Sequence, residues 1–225
     1  MTRNRFPVSL AKGARPFILV PLVSAALLIA AAALTDWWYA VASVPFLFFG
    51  FFGLWFFRDP ERDISDGITC PADGRVLFIE ERDDPEVGRC TRVAIFMSPL
   101  DVHVNRAPVT GKVARLTHHS GGYLPAFDKE SERNERVETL WVADGKDPEG
   151  ATEGTRIKMV QIAGAVARRI VPWVVEEDRL KRGERMGMIR YGSRVDVYLP
   201  TGLVPAVKEG ERVWAGRTRL AGRKE

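Results

Sequence analysis

Residues 17–34 read FILVPLVSAALLIAAAAL and contain no charged side chain. Such a run favours a helix, which at about 1.5 Å of rise per residue spans about 27 Å. The hydrocarbon core of a bilayer is roughly 30 Å thick. This stretch therefore predicts a membrane helix and separates the amino-terminal part of the chain from the rest.

A second uncharged run, rich in phenylalanine, follows at residues 40–57. Between the runs lies a polar break, Thr35 and Asp36, followed by the aromatic residues 37–39, which suit the boundary between membrane and water. The two runs together predict a helical hairpin with Asp36 at its far turn. Residues 1–57 are accordingly interpreted as a membrane anchor.

Basic residues flank this hairpin on both sides, within residues 3–15 and at Arg58 and Arg62. Positively charged flanks stay in the cytoplasm, so both ends of the hairpin are predicted to be cytoplasmic. The first run alone also fits a signal peptide, but the second run directly behind it argues against cleavage. A shallow hairpin that enters one leaflet is a further interpretation, because Pro21 and Pro45 interrupt the runs.

From residue 58 onward the sequence changes to short segments rich in β-branched and aromatic residues, separated by Gly, Pro and Asp. The predicted strands are Arg75 to Glu80, Arg92 to Met97, Lys112 to Thr117, Val137 to Ala143, Arg156 to Ile162, Gly187 to Tyr191 and Arg194 to Leu199. The predicted helical pieces are Tyr123 to Glu130 and Gly164 to Val171. Residues 58–225 are therefore predicted to form a β-rich α+β domain, a folded-over sheet or partial barrel.

Charge and cysteine content narrow the partners and the compartment. The net charge is +4 with a pI near 9.2, and anionic lipid headgroups are the expected counter-charge in a chain with an apolar anchor. No nucleic-acid partner is expected. Cys70 and Cys90 lack a C-x-x-C spacing and further cysteines, so both are predicted to be reduced. No metal site is predicted, since the adjacent His118 and His119 would point to opposite faces of a strand.

The remaining histidine lies in SPLDVHVNR, residues 98–106. Strand alternation would place His103 on the same face as Asp101 and Asn105. A polar face in an otherwise apolar sheet indicates a cleft, which makes His103 a candidate for proton transfer. A structural role for this histidine is the alternative.

A second candidate is the step from Gly192 to Ser193, between two predicted strands. Glycine before serine permits a strained backbone and an unhindered approach of the hydroxyl to the preceding carbonyl. Most Gly-Ser pairs are simply turns, and Val195 replaces the last glycine of the G-x-S-x-G pattern.

The order of the motifs along the chain is more informative than any single one. A double apolar segment precedes PADGRV at 71–76, SPLDVHVNR at 98–106, FDKESERNER at 127–136 and YGSRVDVYLP at 191–200. This ordered set resembles the short phosphatidylserine decarboxylases over essentially the whole chain. The resemblance implies a lyase that makes phosphatidylethanolamine and CO2 from phosphatidylserine at the cell membrane, and the basic flanks of the hairpin predict that its catalytic domain is cytoplasmic.

The resemblance also implies a proenzyme that cuts itself between Gly192 and Ser193. The Ser193 hydroxyl would attack the Gly192 carbonyl to give an ester, and β-elimination would leave a dehydroalanine. Hydrolysis with loss of ammonia would then give a pyruvoyl group, whose carbonyl accepts the electrons released during decarboxylation. The products would be a large chain, 1–192, and a small chain, 193–225, paired as a heterodimer. Higher homo-oligomers are left open.

The same resemblance suggests roles for two further residues. His103 matches the family histidine and is expected to transfer the proton in decarboxylation. Asp73, in PADGRV, matches the family aspartate associated with self-cleavage. Longer relatives carry a second histidine where this chain has Arg106, which stays protonated and cannot serve as an ordinary base. Arg194 replaces a usual threonine, and either phosphate or solvent could be its partner.

Two other classes of protein fit parts of the sequence. A serine hydrolase could use Ser193, His103 and Asp73 without cutting itself. A membrane-tethered adaptor would treat the Gly192-Ser193 step as a turn. Both alternatives predict an intact chain of 225 residues. The sequence leaves the lipid backbone, ester or ether, undecided.

Overall fold

The computed structural model describes residues 9–147, 149–165, 169–190 and 193–223. The chain divides into two compact units, residues 1–61 and 62–225. Each unit is built from the class of element that its sequence predicts: apolar helices in the first and β-strands in the second.

The first unit consists of helices α1 (Arg15–Leu34) and α2 (Trp38–Phe56), with a short pairing of β1 (Ser9–Leu10) and β2 (Arg58–Asp59). The helices pack closely at Gly50, where an added Cβ would stand 2.4 Å from Cδ2 of Leu22. Most of their other large apolar side chains are exposed. The two predicted helices are confirmed, and both are long and apolar enough to cross a membrane.

The second unit is almost entirely β-structure. Its strands are β3 (Ile68–Thr69), β4 (Gly74–Asp84), β5 (Gly88–Met97), β6 (Val104–Arg106), β7 (Gly111–His119), β8 (Arg136–Ala143), β9 (Arg156–Ala163), β10 (Arg169–Pro172), β11 (Arg179–Leu180), β12 (Arg185–Arg190), β13 (Ser193–Pro200), β14 (Leu203–Pro205), β15 (Arg212–Val213) and β16 (Arg219–Arg223). The seven predicted strands are confirmed over their described residues, with ends that differ by at most four residues.

One large sheet organises this unit, in the order β11-β7-β8-β9-β13-β5-β4-β15. Two smaller sheets have the orders β10-β12-β6 and β14-β16-β3. The sheets are open, and together with the two helices they are compatible with the predicted α+β class. β13 is a central strand, paired antiparallel with both β5 and β9.

The two faces of β13 differ sharply in chemistry. Val195, Val197 and Leu199 alternate into the apolar core, whereas Arg194, Asp196 and Tyr198 point to the opposite face. Because the alternation begins at Ser193, that side chain lies on the core side of the sheet.

Both short helices predicted for this unit are wrong where the structure describes them. Residues 123–128 form a loop, followed by a single 3₁₀ turn at Lys129–Arg133. The Asn134 side chain accepts from the Leu124 N–H at 2.8 Å and donates to the Leu124 carbonyl at 2.7 Å, replacing helical hydrogen bonds. In the second piece, Arg169–Pro172 is a strand because β12 supplies its backbone partners, and residues 166–168 lie outside the described residues.

Candidate active site

Ser193 is the first residue of β13 and is fully buried. It pairs with Met97 of β5 on one side and with Ala163 of β9 on the other. Its Oγ lies 3.4 Å from Sδ of Met97. The predicted nucleophile is therefore buried at the amino-terminal end of a central strand. Gly192, the other residue of the predicted cleavage site, lies outside the described residues.

Two buried amides lie beside this serine. Gln161 Nε2 donates to Asn105 Oδ1 at 2.8 Å, so the Asn105 amide nitrogen is directed away from Gln161. Among the described residues, its acceptors are both long-range, Met97 Sδ at 3.7 Å and the Pro71 carbonyl at 3.5 Å. Asn105 thus holds a weakly satisfied donor next to the sulfur that the Ser193 hydroxyl contacts, a suitable arrangement for stabilising an oxyanion.

Sequence reasoning did not identify Gln161, although a signal was present. In β9, residues Ile157, Met159 and Ala163 alternate into the core, and Gln161 occupies the same face. A glutamine at a core position in an apolar strand needs partners, because burying an amide without them costs free energy. Its Oε1 has no hydrogen-bond partner in the described structure.

His103 is fully buried and precedes β6 directly. Its Nδ1 lies 2.9 Å from the Asp101 carbonyl oxygen. Since a carbonyl only accepts, Nδ1 is the donor, and Nε2 is the basic nitrogen of the neutral ring. The Ile189 N–H donates to the His103 carbonyl at 3.3 Å, which places His103 alongside β12, the strand that leads to Ser193.

Asp101 does not share the face predicted by strand alternation, because the chain turns before β6 begins. Its carboxylate accepts from the Ser98 N–H at 2.7 Å and pairs with Arg212. These contacts hold the carbonyl that orients His103. Asp101 therefore stabilises the loop rather than forming part of a polar strand face.

Asp73 is buried in the turn before β4. One carboxylate oxygen accepts from Arg62 Nη2 at 2.8 Å, and the other accepts from the Ala215 N–H at 2.8 Å. An added Cβ at Gly74 would stand 2.1 Å from the Phe96 carbonyl oxygen, so only glycine allows this turn to pack against β5. Asp73 is thus held at the end of the sheet where Ser193 lies, roughly two strand spacings, or about 10 Å, away.

Arg106, at the position of the second histidine of longer relatives, donates from Nη1 to the Gly183 carbonyl at 2.8 Å. It follows Asn105 directly in β6, so their side chains point to opposite faces of the strand. The guanidinium stabilises the loop before β12.

Arg194 binds neither solvent nor an open phosphate site. Its fully buried guanidinium contacts both carboxylate oxygens of Asp196, at 2.9 and 3.1 Å. It also donates to the Asp128 carbonyl at 3.0 Å and to Ser131 Oγ at 2.9 Å. Burial raises the pKa of Asp196, while Arg194 and Arg92 oppose that rise. Arg194 therefore attaches the 120–135 loop to β13.

Replacing Arg194 by Met should destabilise the domain by about 3–5 kcal/mol, because it leaves the Asp196 carboxylate buried without its bidentate partner. Thermal unfolding of the full chain in detergent, followed by circular dichroism, measures this loss. Replacing Asp196 by Leu in the same chain should recover most of it. The matched control is Arg89→Met. The ion pair of Arg89 with Glu81 is exposed, so losing it should not measurably change the unfolding temperature. A stable Arg194→Met protein would contradict the structural role.

The second unit is thus a β-rich domain with a buried serine at the start of its central strand. The family model for phosphatidylserine decarboxylase matches residues 49–221. The chain belongs to the phosphatidylserine decarboxylase family.

Curated relatives match the chain over nearly its full length. A phosphatidylserine decarboxylase proenzyme of Streptomyces griseus is 52% identical over 96% of this chain and 95% of the relative. One of Thermobifida fusca is 44% identical over 98% and 99%, respectively. A putative archaetidylserine decarboxylase proenzyme of Methanosarcina acetivorans is 43% identical over 94% and 96%. The resemblance found in the ordered motifs is confirmed.

Proposed function

We propose that the chain decarboxylates phosphatidylserine to phosphatidylethanolamine and CO2, using a pyruvoyl group formed by its own cleavage between Gly192 and Ser193. The observation that carries the proposal is Ser193 itself, fully buried at the start of a central strand. A simple surface turn would leave such a serine exposed. Family membership supplies the substrate.

Asn105 would assist the cleavage step. As Ser193 Oγ attacks the preceding carbonyl carbon, negative charge develops on the carbonyl oxygen. A donor amide held by Gln161 in a water-excluded site stabilises such charge without reorganisation. Collapse to the ester breaks the peptide C–N bond, and elimination then releases the carboxyl end of residue 192.

The surroundings of Ser193 fit a pyruvoyl group. The residue is held by β5 and β9 on both sides, so the new chain end would stay fixed after cleavage. A pyruvoyl carbonyl supplies an electron sink for loss of CO2 from an amino-acid headgroup. His103 would hold the proton that replaces CO2 on the substrate carbon.

The two cleavage products would remain together without a disulfide. The small chain, 193–225, supplies β13 to the centre of the large sheet, β15 to its edge and β16 to the sheet that contains β3. Cys70 and Cys90 are free thiols. Strand pairing and the shared core would therefore hold the heterodimer.

The helical hairpin would anchor the enzyme in the cell membrane, where its substrate resides. The exposed apolar side chains of α1 and α2 support this location, and the basic flanks support a cytoplasmic catalytic domain. Protease added to inverted membrane vesicles should then digest the domain, whereas protease added to intact spheroplasts should not.

The deciding experiment combines an intact mass with lipid analysis of the purified full chain. We expect two chains, 1–192 and 193–225, the smaller one lighter than its unmodified sequence by one ammonia. Vesicles containing phosphatidylserine should yield phosphatidylethanolamine and CO2 in equal amounts. An uncut, well-folded chain without product would favour the hydrolase or the adaptor. Ether-linked archaetidylserine is tested in parallel, and the lipid that is decarboxylated faster shows whether the enzyme prefers an ester or an ether backbone.

Replacing Asp73 by Asn should slow self-cleavage on the order of 100-fold, since it removes the ion pair that positions the turn at the serine end of the sheet. Gel analysis of freshly synthesised proenzyme over time measures the cut fraction. The control is Asp83→Asn, an exposed acid. Equal slowing by Arg62→Met would assign the effect to the ion pair. Normal cleavage in both Asp73→Asn and Arg62→Met would contradict this role.

A further inference from the structure

Two loops of the second unit emerge at the end of the large sheet where Ser193 lies. Ser193 pairs with Met97, and residues 98–103 follow that strand end. Arg136 pairs with both Ile162 and His119, so the 120–135 loop emerges at the same end. The two loops therefore flank the strand end that carries the proposed catalytic residue.

These two loops expose an unusual share of large apolar side chains. Leu100 is 65% exposed, Phe127 63%, Tyr123 43% and Leu124 39%. Elsewhere in the described part of residues 62–225, the large apolar side chains with comparable exposure are Ile64, Val175, Val204 and Trp214. Half of this exposed apolar set thus borders one end of the sheet, and clustered exposure of this kind marks an interaction surface.

The 120–135 loop is held rigidly while its apolar side chains face outward. Arg194 binds the Asp128 carbonyl and Ser131, and the Asn134 side chain binds Leu124 and the Ala163 carbonyl. These buried hydrogen bonds satisfy polar groups of the loop and so fix its conformation. A loop that could collapse freely would bury its apolar side chains instead, since exposing them costs free energy.

The exposed charged side chains near these apolar residues are mixed in sign, with Asp128 and Glu130 beside Arg133 and Arg169. The other two acids of the loop have side-chain partners in the domain, since Glu132 pairs with Arg92 and Glu135 lies 3.2 Å from His118 Nε2. Aromatic and apolar side chains with nearby arginines are the composition of protein segments that lie at the membrane interface.

We propose that Leu100, Tyr123, Leu124 and Phe127 form a lipid-docking rim that inserts into the bilayer surface around the active site. The inference rests on the proposed function, because it explains how a lipid headgroup reaches a buried serine while its acyl chains stay in the membrane. The rim is distinct from the helical hairpin, which anchors the chain but lies in the other unit.

Site-specific fluorescence in vesicles tests the rim with the full chain. Leu100→Cys and Phe127→Cys would each carry a polarity-sensitive fluorophore, in phosphatidylcholine and phosphatidylglycerol vesicles with or without brominated acyl chains. Native labelling should be low, because burial raises the pKa of Cys70 to about 12 and also raises that of Cys90. Both thiols are also buried, which hinders the labelling reagent.

The matched control is Val175→Cys, which is also 65% exposed. Val175 lies near Val113, towards the opposite end of the large sheet. We expect brominated lipids to quench the fluorophore at positions 100 and 127 several-fold more than at position 175. Equal, weak quenching at all three would overturn the rim. Burial of the fluorophore that depends on protein concentration, without lipid quenching, would indicate a second copy and also overturn it.

The failure of docking and the failure of the proposed function are distinguishable. Ser193→Ala should keep the quenching pattern, because docking needs no chemistry. The double variant Leu100→Ser with Phe127→Ser should lower the ratio of decarboxylation in vesicles to that of dispersed short-chain phosphatidylserine by about ten-fold. Val175→Ser should leave this ratio unchanged. Quenching without any decarboxylation would contradict the proposed function and keep the rim.

Discussion

Replacing Ser193 by Ala should leave the chain uncut at 225 residues and abolish decarboxylation. Without the hydroxyl there is no nucleophile to form the ester, so neither a new chain end nor a pyruvoyl group can arise. Because position 193 is buried, steric hindrance keeps another nucleophilic side chain of the protein from taking over the role of Ser193. The intact mass and the yield of phosphatidylethanolamine measure both effects.

The substitution is small, and alanine fits the space of serine, so the variant should fold. Near-native circular dichroism and an unchanged unfolding temperature would confirm this. Ser120→Ala, at an exposed serine, is the matched control and should be cut normally. A cut Ser193→Ala chain would refute the assignment of the cleavage site.

Replacing His103 by Ala should lower the decarboxylation rate per cut chain by about 10²–10⁴-fold, the usual contribution of a positioned proton donor. The Asp101 carbonyl holds the ring with Nδ1 protonated, which leaves Nε2 as the nitrogen that can accept a proton and then deliver it. The rate is normalised to the cut fraction from the intact mass, so the two steps are separated.

The control for His103 is His118→Ala, because the His118 side chain is exposed and contacts Glu135. It should cut and decarboxylate like the unchanged protein. An uncut His103→Ala chain would show that this histidine also serves self-cleavage, as the absence of a second histidine at Arg106 suggests. A cut His103→Ala chain with an unchanged rate would refute the catalytic role.

Much of the fold could be predicted because alternation and hydropathy are local. Two uncharged runs predict α1 and α2, and the period of two in residues 194–199 predicts β13. The failures came where long-range contacts replaced local ones. Residues 123–130 were predicted to be helical, but the Asn134 and Arg194 side chains hydrogen-bond to carbonyl oxygens of this segment instead. Residues 169–172 pair with β12 instead of forming a helix.

The candidate site was predictable only in part, for the same reason. The ordered motifs single out Ser193, His103 and Asp73 as site residues. They do not reveal that Gln161 holds Asn105 beside Ser193, since the two amides are 56 residues apart. The partner of Arg194 was likewise undecided, because two of its contacts come from a loop more than 60 residues away.

The sequence by itself determined the division into an apolar hairpin and a β-rich domain, the main strands and the family. These properties depend on composition, on periodicity and on the order of short motifs. Only the tertiary structure decided which polar groups meet at the end of β13, how Asp73 is held, and which apolar side chains stay exposed around it. Those facts depend on strand order and register, which bring together residues that no local pattern connects.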